Sequence, residues 1–178
     1  MPDENYRTAI NDKFDLSKYN LFINHWPMKS ATTMDLRAWA TKIMTRYKVK
    51  PDIFMIDYDD CLLPIDVSVR GNMYEESGAV YNDMIQLASY LKCPVLTFAQ
   101  PKRESWEIPD TGGLIYSHHL AHSALKVHKA WSISTINFPV GSNTGILYVD
   151  DNRRGESGVK IPIYKDLRRG LIKEKIGG

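Results

Sequence analysis

Three aspartates follow directly on an apolar run in the segment KPDIFMIDYDDCLLP, residues 50–64. The run at 53–56 has the composition of a buried strand, and Asp57, Asp59 and Asp60 come at its carboxyl end. Ligands of an open parallel sheet bind at the carboxyl ends of its strands, where carboxylates hold a cation or act as acid and base. The alternative is that the strand simply ends in a solvated acidic turn.

The composition predicts one globular domain. The chain has 178 residues, of which 43% are hydrophobic, and this is enough for one sizeable core. Its formal net charge of +2 neither requires nor excludes a nucleic-acid partner. No apolar run approaches the roughly 18 residues of a membrane span, and nothing resembles a signal peptide. Because Cys61 and Cys93 suit a reducing compartment, we expect a cytoplasmic protein with no membrane partner.

Strand and helix patterns alternate along the chain and must position these aspartates. Helices are predicted over residues 32–48, 81–92 and 120–130, and strands over residues 21–26, 53–56 and 93–100. The tail is predicted to form a hairpin in which GILYVDD and VKIPIYKD are joined by the turn-rich NRRGESG. Strands separated by helices of about 12–17 residues form βαβ units, so an α/β fold with a mostly parallel sheet flanked by helices is expected.

One chemistry for the aspartates is phosphate-ester hydrolysis. DYDDCL resembles the D-x-D-x-[TV]-[LV] loop of phosphatases of the haloacid dehalogenase type, with Asp57 as nucleophile and Asp59 as acid. Thr97 and the pair Asp150 and Asp151 would stand for the later motifs of that family. In that family, however, the loop follows the first strand of the domain. Here a strand and a helix are predicted before it, and no cap segment is evident.

A second chemistry is zinc binding in SHHLAH. His118 and His122 are four residues apart on one predicted helix face, and His128 is a further candidate ligand. A zinc protease needs a glutamate beside its first histidine ligand, and that position holds His119. Solvated or DNA-facing histidines are therefore the favoured interpretation.

A third chemistry is nucleotide hydrolysis, in which Asp57 ends a Walker B strand and orders the water around a magnesium ion. Five segments bear on it: YNLFINHWPMKSATTMDLRAW, KPDIFMIDYDDCLLP, YNDMIQLASYLKCPVLTFAQPKR, LAHSALKVHKA and ILYVDDNRRGESGVKIPI. In this order and spacing, the chain resembles the RecA-like ATPase domain of DnaB-type replicative hexameric helicases. The resemblance covers residues 19–170 and also accounts for the strand and helix that precede the aspartates.

The resemblance implies roles for the residues at matching positions. Asp57 matches the Walker B aspartate, which binds Mg²⁺ together with ATP, and Gln100 matches the glutamine that senses the terminal phosphate. Arg153 matches the arginine finger that reaches into the nucleotide site of the neighbouring subunit, and Arg154 lies beside it. A guanidinium suits this role because it offsets the charge that develops on the transferred phosphoryl group.

The same resemblance implies a DNA-binding loop after Gln100. In the segment at 100–113, Lys102 and Arg103 are candidate phosphate contacts, and Trp106 is a candidate surface for base stacking. The alternative for Trp106 is that it packs onto the domain. We expect this loop to be mobile when no DNA is bound.

The chain also departs from the pattern of the helicase family. It has no G-x-x-x-x-G-K-[ST], and the catalytic glutamate would lie before residue 1. Asp151, Trp131 and His122 replace a lysine, an aspartate and a glutamate that the family commonly has. These replacements weaken the transfer of the family's phosphate and DNA contacts to those positions.

We therefore expect an incomplete RecA-like domain at residues 19–170 that lacks the P-loop strand and ends in a β-hairpin. Residues 1–18 are a poorly determined segment, and residues 171–178 are a tail. The intact parent is expected to be a ring-forming, ATP-dependent DNA helicase that acts on single-stranded DNA, with a primase as a further candidate partner. This chain alone is expected to be inactive. The alternatives are the phosphatase and a non-enzymatic DNA-binding or assembly module.

Overall fold

The computed structural model describes residues 20–120 and 123–175. Its helices are α1 (Thr33–Tyr47), α2 (Met73–Leu91) and α3 (Ser123–Lys129), and its strands are β1 (Phe54–Ile56), β2 (Val95–Thr97), β3 (Ser132–Asn137), β4 (Thr144–Asn152), β5 (Val159–Asp166) and β6 (Leu171–Glu174). Short 3-10 turns occupy Asp59–Cys61, Val67–Val69, Arg103–Ser105, Ile108–Thr111, Ser117–His119 and Leu167–Arg169. None of the helices in the described ranges is long and apolar enough to cross a membrane.

Helix α1 begins where the sequence supplies a cap. The Asp35 carboxylate accepts hydrogen bonds from the backbone N–H and the hydroxyl of Thr32, both at 2.8 Å. This arrangement satisfies a donor at the helix start and places negative charge at the positive end of the helix dipole. Leu36 and Ala40, one turn apart, are buried. Helix α1 thus presents its apolar face to β1 and α2.

Strands β1 and β2 pair in parallel, with Phe54 opposite Val95 and Ile56 opposite Thr97. Parallel strands need a crossover connection, and α2 provides it. The helix begins at Asn72, whose side-chain oxygen accepts from the backbone N–H groups of the first turn. The core consists of one cluster that α1, α2 and the two strands share, and it contains Ala31, Leu36, Ala40, Phe54, Ile56, Leu62, Val80, Met84, Leu87, Leu91 and Cys93.

The two faces of this parallel sheet differ. Phe54 and Ile56 face the helices and are buried, whereas Met55 between them is 57% exposed. Leu96, opposite Met55 on β2, is 41% exposed. Parallel sheets are normally covered by helices on both faces, so the described part of the chain covers one face and leaves the other open.

The larger sheet is antiparallel, with the strand order β3-β4-β5-β6. The hairpin of β4 and β5 pairs Thr144 with Tyr164 and Val149 with Val159. The buried Asn137 joins β3 to the preceding loop, because its side-chain oxygen accepts from the backbone N–H of Ile115 at 2.7 Å.

The α/β class, the parallel pairing of the two apolar strands and the hairpin are confirmed. The expectation of a mostly parallel sheet is wrong for the described residues, because four of their six strands form the antiparallel sheet. The strand predicted over residues 21–26 is also wrong, since this segment is coil. Its Leu21 and Ile23 are 72% and 80% exposed. The helix predicted over residues 120–130 is present as α3, and Ala121 and His122 lie outside the described residues.

Asp35→Ala is expected to lower the free energy of unfolding by about 1 kcal/mol at neutral pH, because Thr32 loses its acceptor. Hydrogen bonds from the Thr32 backbone, and then from its hydroxyl, lower the pKa of Asp35. Their stabilisation is therefore present above the ordinary aspartate pKa of about 3.9 and is lost as pH falls through the lowered folded pKa. Urea unfolding of both proteins at neutral and strongly acidic pH measures this.

The exposed Asp52, which precedes β1, is the control. Asp52→Ala is expected to leave the free energy of unfolding unchanged at either pH. A loss for Asp35→Ala of the same size at neutral and strongly acidic pH would contradict the capping role of the carboxylate.

Candidate functional site

Asp57 and Gln100 lie at the same edge of the parallel sheet. Asp57 directly follows β1, and Gln100 follows β2 by three residues. Because Ile56 is opposite Thr97 in a parallel pair, the chain leaves both strands in the same direction. The two loops are also bonded to each other, since the Asp59 backbone N–H donates to the Phe98 carbonyl at 3.4 Å.

Asp57 differs sharply from its neighbour Asp59. The Asp57 residue is exposed, and within the described ranges its carboxylate has no hydrogen-bond or ion-pair partner. A single open carboxylate at a strand end fits magnesium, which is commonly held by one or two carboxylates together with water and substrate phosphates. The described ranges contain no group of three or more His, Cys, Asp and Glu side chains that could hold a metal ion. Asp57 is therefore suited to be one of several ligands of a magnesium ion.

The buried Asp59 forms an ion pair that the sequence did not predict. The side chain of Lys126, on α3, is 2% exposed, and its Nζ lies 2.7 Å from Asp59 Oδ2 and 2.8 Å from Asp60 Oδ1. The contact with Asp60 is also a hydrogen bond, whereas the contact with Asp59 has the distance but not the angle of one. One ammonium thus contacts both carboxylates of the turn after Asp57.

The Asp59 carboxylate has two further polar neighbours. The Asp60 backbone N–H donates to its Oδ1 at 2.9 Å, and the Tyr81 side chain of α2 lies close enough for the two groups to interact electrostatically. Burial, and then the negative charge of Asp59, raises the pKa of Tyr81. Asp59 is therefore fixed by groups from α3 and its own turn, and it is not presented to solvent as the acid of the phosphatase alternative would be.

The loop after Gln100 is attached to the segment before α3. Pro101 forms an antiparallel bridge with Leu120, and the Lys102 backbone N–H donates to the His119 carbonyl at 2.7 Å. The side chain of Lys102 remains exposed. These contacts fix the backbone where the candidate DNA-binding residues begin.

Trp106 packs against its own loop and also exposes part of its ring, so it shows features of both alternatives, packing and base stacking. Its indole N–H donates to the Pro101 carbonyl at 3.2 Å, which holds the ring against the loop. The residue is nevertheless 55% exposed, and the Arg103 guanidinium lies 6.0 Å from the ring centroid. A half-exposed ring beside a cation is a surface on which a nucleic-acid base can stack.

The two candidate nucleotide-contacting arginines both lie around Trp131. Arg154 and Arg153 have their guanidinium carbons 4.9 Å and 5.9 Å from the Trp131 ring centroid. The Arg153 backbone N–H donates to the Trp131 carbonyl at 3.0 Å, and its side chain donates to the His128 carbonyl. Arg153 is thus exposed but turned back onto the end of α3 of its own chain.

Two histidines of SHHLAH, His118 and His119, lie among aromatic rings. The Tyr116 ring stacks on His118 with an interplanar angle of 7°, and the His119 ring lies 4.0 Å from that of His118. His119 Nδ1 accepts from the Tyr116 backbone N–H at 2.9 Å. Burial lowers the pKa of His119. His122 lies outside the described residues, so the pairing with His118 stays a prediction.

An apolar groove of about 790 Å³ lies beside the site. It is lined by the coil at residues 20–27, by α1 and by residues 49–58, which include all of β1 and end next to Asp57. The groove is therefore at the edge of β1 that does not pair with β2.

Comparison with known proteins gives a fold. No protein-family model matches the sequence, and no curated protein matches it significantly. A solved structure described as that of a DnaB-like replicative helicase and its interactions with primase is similar, with a TM-score of 0.65 and 16% sequence identity. The similarity covers 80% of this chain and 34% of that one, so this chain spans about a third of the helicase chain. The protein has a DnaB-like fold.

Tyr81→Phe is expected to lower the free energy of unfolding by about 1–3 kcal/mol at neutral pH, because the buried Asp59 carboxylate loses the hydroxyl dipole beside it. The folded-state pKa of Tyr81 is raised, so the stabilisation by its hydroxyl is fully present below the ordinary tyrosine pKa of about 10 and is lost as the pH rises above it. The difference between the two proteins should therefore shrink at strongly alkaline pH in denaturant unfolding.

Tyr90 is a matched control on the same helix, since its hydroxyl contacts Thr41 Oγ1 at 3.1 Å but the residue is 40% exposed. Tyr90→Phe is expected to change the free energy of unfolding by less than about 0.5 kcal/mol. Equal losses in the two variants would show that the Tyr81 hydroxyl has no special partner.

Proposed function

We propose that this chain is the carboxyl-terminal part of the RecA-like ATPase domain of a ring-forming replicative DNA helicase. The observation that carries the proposal is the parallel pair β1 and β2, which end in Asp57 and Gln100 at one edge of the sheet. The DnaB-like fold and the ordered resemblance of five sequence segments support it.

The proposed site divides the work of ATP hydrolysis among three residues. Magnesium, when bound with ATP, offsets the negative charge of the phosphates. Asp57 orders the water around that ion, and Gln100 contacts the terminal phosphate and transmits its presence to the loop that follows. Arg153 serves the nucleotide of the neighbouring subunit in a hexameric ring, with Arg154 beside it.

The proposed domain needs further parts. The sequence has no phosphate-binding loop with its lysine, and the described residues leave Met55 and Leu96 exposed on one face of the parallel sheet. A larger ATPase domain would cover that face and supply the phosphate contacts. The chain alone is therefore proposed to be inactive, and the intact helicase is proposed to act on single-stranded DNA, with a primase as partner.

The DNA contacts are assigned to the loop at 100–113. Lys102 and Arg103 are exposed at its start, and Trp106 offers a half-exposed ring. The loop begins at Gln100 and is tied to the segment before α3 by the Lys102 to His119 hydrogen bond. Nucleotide sensing and DNA contact are thus proposed to share one continuous stretch of chain.

The purified chain is expected to show no ATP turnover and a dissociation constant for Mg·ATP weaker than about 1 mM. The reason is that Asp57 alone offers no phosphate cradle. Isothermal titration calorimetry and a phosphate-release assay measure the two quantities.

Micromolar binding of ATP would overturn the assignment of this chain to a domain part without a phosphate site. Hydrolysis of a generic aryl phosphate that Asp57→Asn abolishes would favour the phosphatase instead. The Asp57→Asn variant must keep the circular dichroism spectrum of the unchanged protein, so that loss of activity is not loss of fold.

Replacing Lys102 and Arg103 together by Ala is expected to weaken binding to an oligothymidylate and to flatten its salt dependence. The slope of log affinity against log salt should fall by about 1.4, because each phosphate contact on a single strand contributes about 0.7. Fluorescence anisotropy of a labelled oligonucleotide at several salt concentrations gives the slope.

Lys42 and Lys50 provide a control with the same change in charge, since both are exposed and lie away from the loop, on α1 and before β1. The double Ala variant of these two lysines is expected to keep the slope of the unchanged protein. Equal slopes in both double variants would mean that the loop has no special role and that net charge alone governs binding.

A further inference from the structure

Forming the ion pair of Lys126 with Asp59 and Asp60 costs the free energy of removing these charges from water. The Lys126 side chain is 2% exposed and that of Asp59 1% exposed, so both have lost their hydration. Burying charges is unfavourable unless they are paired and hydrogen-bonded, and a buried ion pair is weak evidence for stability by itself. The role of this ion pair is therefore inferred from the residues that it holds in place.

What Lys126 holds is the turn that follows Asp57. It contacts Asp59 and Asp60, the second and third residues after Asp57, with one ammonium. It reaches them across 66 residues of sequence, from a separate helix. Two carboxylates converging on one buried positive centre is the arrangement that proteins use to hold divalent cations. Here a lysine fills that position.

We propose that Lys126 is a positioning residue that takes the place of a bridging divalent cation between Asp59 and Asp60. Its ammonium fixes the turn before any metal binds, keeps Asp59 buried and occupies Oδ1 of Asp60, whose side chain is still 38% exposed. Asp57 is left as the carboxylate of the loop that has no cationic partner among the described residues. The role of Lys126 stands on this geometry, whereas the role of Asp57 as a magnesium ligand rests on the proposed function.

The proposal explains why three acids so close in sequence can have different roles. Without Lys126, Asp59 and Asp60 would repel each other and would bind a cation of their own beside Asp57. With Lys126, the cluster of Lys126, Asp59 and Asp60 has a net charge of −1 and needs no metal. A cation that enters the site then meets one unpaired carboxylate rather than three.

The test is the thermal unfolding of the full chain with and without millimolar Mg²⁺ or Mn²⁺. Lys126→Met keeps the length of the side chain but removes its charge, so its Tm should fall by roughly 10 °C in chelator, because two carboxylates lose their counter-charge. Either cation should then raise the Tm of this variant by roughly 5 °C by binding in place of the ammonium. Lys126→Arg, which retains a positive charge, should show little response to cations.

Lys129→Met is the matched control, because Lys129 lies on the same helix and its Nζ donates to the neutral Asn82 side chain. Its Tm should not respond to cations beyond the response of the unchanged protein. Lys126→Met responding no more than Lys129→Met would overturn the proposal. So would an unchanged protein whose Tm rises with cations as much as that of Lys126→Met.

A triple variant covers the case in which Lys126→Met does not fold. Lys126→Met with Asp59→Asn and Asp60→Asn removes all three charges, so it should fold and should give no cation response. If this triple variant folds and its Tm still rises with cations as much as that of Lys126→Met, Asp59 and Asp60 are not the cation site and the proposal fails. A triple variant that folds no better than Lys126→Met also counts against it, since charge would not be the cause.

Asp57→Asn separates this proposal from the proposed function. Added to Lys126→Met, it should leave the cation-induced rise in Tm intact, because that cation binds Asp59 and Asp60. The otherwise unchanged chain is expected to bind Mn²⁺ weakly through Asp57, as measured by electron paramagnetic resonance, and Asp57→Asn should remove this binding. If Asp57→Asn alone does not remove Mn²⁺ binding, the magnesium role of Asp57 is contradicted. If the double variant loses the cation-induced rise in Tm, the role of Lys126 is contradicted.

Discussion

Two parallel strands cannot be joined by a tight turn, and this constraint organises the part of the protein that carries the candidate site. The chain must leave β1, travel back along the sheet and enter β2 from the same end. It does so through α2, whose buried Val80, Met84 and Leu87 pack against the strands. As a result, Asp57 and Gln100 follow strands that end at the same edge although they are 43 positions apart in the sequence. Removing the crossover helix would separate the two side chains.

The sequence predicted the features that depend on local patterns. The two apolar strands, the face of α1 and the hairpin of β4 and β5 follow from periodicity and turn residues, and their pairing followed from the α/β alternation. The sequence pattern at 21–26 resembles a strand just as well, but a strand forms only with a neighbour to pair with. Leu21 and Ile23 are exposed, and an open groove separates their segment from the free edge of β1. The strands β3 and β6 were missed because their pairing depends on the hairpin between them.

The candidate site was likewise predictable only where its residues follow from local sequence patterns. Asp57 and Gln100 could be found because each ends an apolar run. Lys126 could not, because nothing in SALKVHK distinguishes it from Lys129, three positions later, and the two lysines have different partners only in the folded chain. The one available signal was indirect: Asp59 and Asp60 follow a buried strand, and buried acids need a cation.

Lys126 also closes a second connection between the two loops of the site. The Gln100 loop is bonded to the segment at 119–120 through Pro101 and Lys102, and this segment leads along the chain into α3. From α3, Lys126 reaches back to Asp59 and Asp60. The Asp57 loop and the Gln100 loop are therefore linked through the strands and the Asp59–Phe98 hydrogen bond, and a second time through α3. Because the second link is a charged contact between side chains rather than a run of strand pairing, it is the one that can change while the sheet stays intact.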